Sequence, residues 1–509
     1  MPEISDAFDN VESRPSTQVA ALDIGSNSFH LVVARIVAGN VQILHRVKQK
    51  VRLADGLDSQ FRLDDAAMQR GLETLAVIAE SLKGFAPDSV RIVATYTLRK
   101  AKNAKEFIRA AKKILPYPIE VISGIEEARL IYSGVAHTIQ DSGKRLVIDI
   151  GGGSTEFIIG EGFETKLLRS LQMGCVSYSK RFFDNGEMTN QAFKRAIMAA
   201  QQELELIDVK YLKQGWQHCI GTSGTIKAIV LVVQSLNSEN SEGFVNLDHL
   251  KTLKQRCIDA KHIDALAFPT LTQDRVPVFA AGLSILIAAF KSLKISAMEY
   301  SPAALREGVM YEMEEQLAHH DIRERTAQSL ATRYDVDLEH AKRVHNTALY
   351  IYDQCRKQWK ISGQASRNML GWAAMLHEIG LQINSRGVQR HSAYILQNVD
   401  LYGFNQEQQA LLAILARFHR KKVRLEELPE LWQFDPDSVI KLLIILRLSV
   451  ILNIKRQDDI LPEFAVRVKD QSIDIQFPKE WLEHKPIFTA DLARESTYLS
   501  TLGYQLTVN

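Results

Sequence analysis

One ten-residue pattern occurs twice in this chain and constrains its fold more than any other feature. The first copy reads Ala21-Leu22-Asp23-Ile24-Gly25-Ser26-Asn27-Ser28-Phe29-His30. The second reads Val147-Ile148-Asp149-Ile150-Gly151-Gly152-Gly153-Ser154-Thr155-Glu156. Each is an apolar strand, then D-I-G-x-x-S, then a returning apolar stretch (Leu31-Val32-Val33-Ala34; Phe157-Ile158-Ile159-Gly160). In each, a strand ends in a carboxylate that can hold a metal ion. A Gly/Ser turn then offers backbone N–H groups and hydroxyls to an anion. The copies lie one small domain apart. Two such turns across a cleft would grip a polyanion and its metal from both sides. Asp23 and Asp149 are therefore candidate metal ligands. Magnesium is the natural ion, because it takes few carboxylates, several waters and phosphate oxygens.

Other segments extend this chemistry. Gly151-Gly152-Gly153 lets the backbone approach an anion, and Ser154 and Thr155 add hydroxyls. A third loop, Gly221-Thr222-Ser223-Gly224-Thr225-Ile226-Lys227, follows a strand at His218–Ile220. It makes Gly221, Ser223 and Gly224 candidate phosphate contacts at a helix N-terminus. An ordinary helix N-cap accounts for this loop nearly as well. In Ser123-Gly124-Ile125-Glu126-Glu127-Ala128-Arg129 the acidic pair opens a helix, where carboxylates often only complement the dipole. One of the two is a candidate base for aligning water. Thr95-Tyr96-Thr97-Leu98-Arg99 ends a strand, and Arg99 and Lys100 could clamp phosphates.

Up to about Tyr311, strand and helix patterns alternate, which predicts α/β layers with mixed sheets. Val19–Val37 and Val41–Arg46 read as strands turning at Gly39-Asn40. From Asp321 to about Ile454 the pattern is nearly all helical. A hairpin near Gln471, a helix and a last strand Leu502–Val508 follow. Among 509 residues, 46% apolar and 24% charged content is that of a soluble globular protein, and a net charge of +2 argues against a nucleic-acid coat. The four cysteines form no CxxC pair, which fits a reducing cytoplasm. The acidic start does not read as a signal peptide. The longest apolar run, Val276 to Phe290, contains Pro277 and is too short to span a bilayer, so no integral membrane contact is expected.

The helical region carries His345, His377-Glu378, His391 and His419 on separate segments. This is similar to the H…HD…D pattern of metal-dependent phosphohydrolases, but Val450 stands where the last Asp would be. A metal-free relic is the expectation. Arg417, His419, Arg420, Lys421 and Lys422 form a dense basic stretch, either a solvated face or a track for a long polyanion.

Taken together, these motifs resemble the exopolyphosphatase/guanosine pentaphosphate phosphohydrolase family in its long bacterial form, within the sugar kinase, actin and heat-shock ATPase superfold. Met173-Gly174-Cys175-Val176, Ala304-Leu305-Arg306-Glu307-Gly308 and His391-Ser392-Ala393-Tyr394-Ile395-Leu396-Gln397-Asn398 also match. Pro302-Ala303 stands where the family usually has a Gly. The resemblance implies an α/β chain: a polar tail (1–17), two actin-like domains (18–135 and 136–311), an all-helical HD-like domain (312–460) and a small C-terminal α/β cap (461–509). It implies that Glu126 positions or deprotonates the attacking water and that Asp149 and Glu156 bind Mg2+. Ser26, Asn27, Ser28, Gly152, Gly153 and Ser154 would hold terminal phosphates, assisted by Arg99. It also implies a cytoplasmic homodimer, with peripheral membrane association left open. Of the family's two substrates, the Gly triplet and the basic stretch favour processive hydrolysis of inorganic polyphosphate, with guanosine pentaphosphate as the alternative. An ATP phosphotransferase or a non-enzymatic actin-like module is more remote.

Overall fold

The computed structural model describes residues 17–37, 40–138, 143–236, 244–317, 322–399, 401–431, 433–458, 461–478, 481–483 and 485–509. The expected polar tail, apart from Thr17, and Gly39 of the expected turn lie outside them. The chain divides into two compact units, Met1–His320 and Asp321–Asn509.

The first unit contains two five-stranded sheets of the same topology. In one, β1 (Thr17–Ile24), β2 (Ser28–Val37) and β3 (Asn40–Lys50) are antiparallel neighbours. β4 (Val90–Ala94) and β5 (Ile119–Val121) then run parallel to β1, giving the order β3-β2-β1-β4-β5. In the other, β6 (Lys144–Ile150), β7 (Thr155–Glu161) and β8 (Glu164–Leu171) are antiparallel. β9 (His218–Thr222) and β10 (Glu299–Tyr300) extend it in parallel from β6. Read outward, both sheets run third, second, first, fourth, fifth. The repeated sequence is therefore a repeated fold. Central strands β1 and β6 are buried on both faces, which is why Ala20-Ala21-Leu22 and Leu146-Val147-Ile148 are apolar without alternation.

Helices cover the sheets. Gly124–Ala136 starts where the Ser123 hydroxyl accepts from the Glu126 N–H at 3.1 Å. It packs on Leu305–Leu317 so closely that a Cβ at Gly308 would lie 1.8 Å from the Leu130 carbonyl oxygen. Val276–Ser292 is buried nearly all round, with Pro277 in its first turn. This explains the long apolar run: among the described residues no helix is long and apolar enough to cross a membrane. The segment read as the polar end of a strand at Thr95–Arg99 is instead a short helix, Tyr96–Lys100.

In the second unit, helices Leu338–Cys355, Gln364–Leu376, Val388–Asn398, Gln406–Phe418 and Pro436–Leu452 pack around one core. β11 (Ala465–Lys469), β12 (Ser472–Gln476) and β13 (Gln505–Val508) form a three-stranded sheet. Ile473, Ile475 and Leu499 join Leu443 and Ile445 in that same core, so the sheet closes the helical core and has none of its own.

Candidate active site

The two repeats meet at one cavity of about 350 Å³ in the first unit. Asp23 and Asp149 line it from the ends of β1 and β6. Ser26, Asn27 and Ser28 line it from one turn, Gly151, Gly152, Gly153 and Ser154 from the other, and Ser223 and Gly224 from the third loop. The glycines are there for close approach. A Cβ at Gly153 would lie 2.1 Å from the Tyr96 ring, and one at Gly224 would lie 2.1 Å from an Arg275 nitrogen. The hairpin register pairs Asp23 with His30 and Asp149 with Glu156, so each copy sets a second polar residue beside its aspartate.

The cavity holds a group of buried carboxylates. Burial raises Asp23 to about 7, against the pull of Arg306, and Glu127 and Glu307 add to the rise. Burial, with Glu127 and Asp23 beside it, likewise raises Asp149 to about 7. Burial also pushes Glu127 and Glu156 up. Asp23 Oδ1 and Glu156 Oε2 are buried without a hydrogen-bond partner. Crowded, partly unsatisfied carboxylates of this kind suit a divalent cation. Among the described residues, no three of these acids bring ligand atoms within 4.8 Å of one another. The protein thus offers few ligands, which fits an ion completed by phosphate oxygens and water, as magnesium is.

The cavity is lined by cations as well. Lys48, Lys227, Arg275 and Arg306 line the same cavity. Burial, then the Arg275 charge, lowers Lys48 below the usual lysine value. His30 receives Arg306 at 2.8 Å and is pushed down to about 2 by burial and by Arg306, Lys48 and Arg275, so it is neutral. Cations held this close repel one another until a polyanion arrives.

Several expected residues sit elsewhere. Glu126 does not line the cavity. It is 1% exposed and receives Arg129 through two hydrogen bonds of 2.8 and 2.7 Å. Its neighbour Glu127 lines the cavity instead and receives Arg99 at 3.0 Å. Arg99 also donates to the Ile122 carbonyl at 2.9 Å, so it holds Glu127 and is not itself a wall of the cavity. Thr155 is fully buried and donates to the Met173 carbonyl, a structural bond. Gly221 is a packing glycine: its Cβ would meet Ile226 and Met298 at 2.6 Å. Glu156 lies behind the wall, accepting from Ser170 at 2.7 Å. The sequence reading missed Lys48, Arg275 and Arg306 as site residues. Arg306 had a signal in its Ala-Leu-Arg-Glu-Gly motif. Lys48 reaches the cavity only through its pairing with His30 across β2 and β3.

In the second unit, the proposed track is broken. His419 is buried, its Nδ1 on the Ala416 carbonyl at 2.8 Å, while Arg417 is ion-paired to Glu427 at 3.0 Å. Arg420, Lys421 and Lys422 are exposed. The histidines that gather are His340, His377 and His419, beside Glu378. His345 packs against Gly371, and His391 lies outside the group.

Comparison with known proteins agrees with this geometry. The sequence matches the Ppx/GppA phosphatase family over residues 32–317 and its domain III over residues 322–496. It is 43% identical over 494 residues to a guanosine-5′-triphosphate,3′-diphosphate pyrophosphatase of Pseudoalteromonas translucida, covering 96% of this chain and 98% of that one. It is 41% identical to the protein of the same name from Photobacterium profundum, covering 96% and 97%. A solved Aquifex aeolicus PPX-GPPA enzyme aligns with a TM-score of 0.50 at 26% identity, covering 58% of this chain and 99% of that one. Matched in both of its units and over nearly the whole length of these relatives, the chain belongs to the Ppx/GppA phosphatase family and is a hydrolase of phosphoanhydride bonds.

Proposed function

We propose that the protein removes the 5′-terminal phosphate of guanosine pentaphosphate, giving the tetraphosphate and orthophosphate. The observation that carries this reading is the near-full-length similarity to two relatives named for that substrate. It displaces inorganic polyphosphate as the first choice.

The cleft's chemistry fits. Ser26, Asn27, Ser28 and the Gly151–Ser154 turn hold the terminal phosphates. Asp23 and Asp149 would hold the magnesium ion, with Glu156 as their outer partner. The ion would neutralise charge that builds on the phosphoryl oxygens. Glu127, oriented by Arg99 and kept basic by burial, takes the proton of the attacking water. The water oxygen bonds to the terminal phosphorus as the bridging P–O bond breaks, and the leaving phosphate carries away that bond's electrons. Lys48, Lys227, Arg275 and Arg306 hold the remaining phosphates.

A side pocket favours a nucleotide over a bare phosphate chain. It shares Lys227 and Tyr300 with the main cavity, measures about 360 Å³, and is walled by Val230, Leu231 and Phe244 with Gln234 and Glu299 at hand. Apolar and aromatic walls suit a planar base. A phosphate-release assay with guanosine pentaphosphate, polyphosphate and ATP, with magnesium and with chelator, tests the reading. Pentaphosphate is expected to be turned over best. Phe244→Ala should raise KM for pentaphosphate by roughly tenfold, the loss of one ring contact, and leave polyphosphate unchanged. Faster turnover of polyphosphate would restore that substrate to first place.

A further inference from the structure

The second unit holds a cluster of metal-ligating side chains of its own. His340 opens the helix Leu338–Cys355, and His377-Glu378 follows the helix Gln364–Leu376. One ligand atom from each of His340, His377 and Glu378 lies within 4.8 Å of the others. The His340 and His377 rings are 5.7 Å apart, and His340 Nε2 is 3.9 Å from Glu378 Oε2. His340 is 3% and His377 1% exposed, yet His340 Nδ1 and His377 Nε2 have no hydrogen-bond partner. Two buried, unpaired ring nitrogens cost stability unless something binds them.

The tautomer of His377 is settled locally. Its Nδ1 lies 2.7 Å from the Ala374 carbonyl, which can only accept, so Nδ1 carries the proton. The lone pair is then on Nε2, turned toward the cluster. A ring nitrogen pinned to a backbone carbonyl while the other points inward is the usual support of a metal-ligating histidine. Arg456 stands against a metal. Its guanidinium pairs with Glu378 and, at 3.2 Å, with Asp337. Its side chain is 38% exposed, so it can swing into water.

We propose that His340, His377 and Glu378 form a divalent transition-metal site, and that Arg456 holds the carboxylate until the metal displaces it. Two imidazoles and one carboxylate suit zinc, cobalt, manganese or iron, and suit magnesium poorly. The helix Pro436–Leu452 adds no carboxylate to the group, so the ion keeps open positions that water or an anion can fill. This goes beyond the cleft chemistry and does not depend on which substrate the cleft takes.

The test uses the full chain, stripped with chelator and titrated with Co2+ in excess Mg2+ to keep the oxygen-rich cleft filled. Equilibrium dialysis and the visible Co2+ bands are read. The wild type should take up one site's worth of Co2+ and develop those bands. His377→Ala should lose both, a greater loss than the roughly 10–100-fold of removing an outer partner. Arg456→Gln should bind Co2+ more tightly than wild type. If His377→Ala does not fold by circular dichroism, Glu378→Gln, which keeps the shape and removes the charge, is read in its place. Equal uptake and spectra in wild type and ligand variant, or no uptake by wild type, overturns the site. Unchanged affinity in Arg456→Gln overturns the displacement.

Discussion

Glu126 and Glu127 are adjacent on a helix, so they point about 100° apart, and only one can face the cleft. Arg129, which Glu312 also binds, takes up Glu126 on the buried side, and Glu127 is left to face Asp149 and the cavity. Glu127→Gln should fold with an unchanged melting temperature and lose about 10²–10⁴-fold in kcat. Glu126→Gln should behave oppositely. It leaves Arg129 with Glu312 as its remaining partner in the interior, costs about 1–3 kcal/mol, and keeps kcat near wild type. Measuring kcat and thermal unfolding on both variants decides the matter: a dead but stable Glu126→Gln would return the base to that residue. Asp23 and Asp149 were legible in the sequence because one motif occurs twice. The residues alone left the Glu pair open and the resemblance chose Glu126, because spacing gives no view of what packs on a helix's far side. Lys48 and Arg275 were not legible at all. Each is one cation among many until distant segments come together.

At the scale of elements, the strand–turn–strand hairpins were readable from apolar runs broken by Gly and Ser. What the pattern could not give is how the helix Gly124–Ala136 is fixed. Two things hold it against Leu305–Leu317: backbone contact at Gly308, and a buried charge network. Arg129 pairs with Glu126 and Glu312, and Arg91 pairs with Glu312 and with Glu120 at 3.1 Å. Burial alone would push Glu312 up, but Arg129 and Arg91 hold it down at about 2, from an ordinary 4.5. A carboxyl with a lowered folded-state pKa adds stability that is complete above the unfolded value and is lost as pH falls through the folded one. Glu312 should therefore contribute on the order of 3 kcal/mol above about pH 4.5, fading toward pH 2. Asp23 and Asp149 act the other way: their raised values add stability that is full below about pH 4 and lost as pH rises through about 7. Comparing urea unfolding of wild type and Glu312→Gln at pH 7, 5 and 3 cancels that part. The gap between the two proteins should be widest at pH 7 and 5 and narrow at pH 3. A gap that does not change with pH would mean that Glu312 acts by shape and not by charge.

Among the described residues, two of the hydrophobic cores lie one in each unit and share no residue. One runs from Leu146 to Met298 in the first unit, and the other from Ala327 to Leu506 in the second. The change from alternating to all-helical patterns announced the second unit. Its three-stranded sheet read as a separate cap only because alternation along a strand does not say whose core the strand covers. Separate cores predict separate unfolding events, each answering to its own ligand. Magnesium with a non-hydrolysable phosphate relieves crowded charge at Asp23 and Asp149, so it should raise only the first unit's transition, by about 2.7 kcal/mol at a hundred times Kd. Co2+ bound at His340, His377 and Glu378 should raise only the second. Trp216 is the sole tryptophan in the sequence before residue 321, so Trp216→Phe leaves fluorescence that reports the second unit alone. Calorimetry on the wild type, beside fluorescence melting of that variant, then assigns each shift. The expected record is two transitions, with the fluorescence melt unmoved by magnesium and phosphate and raised by Co2+. A single transition that both additions raise together would mean that the units unfold as one. A fluorescence melt raised by magnesium and phosphate alone would locate an oxygen-liganded ion in the second unit, where no cluster of carboxylates among the described residues accounts for one.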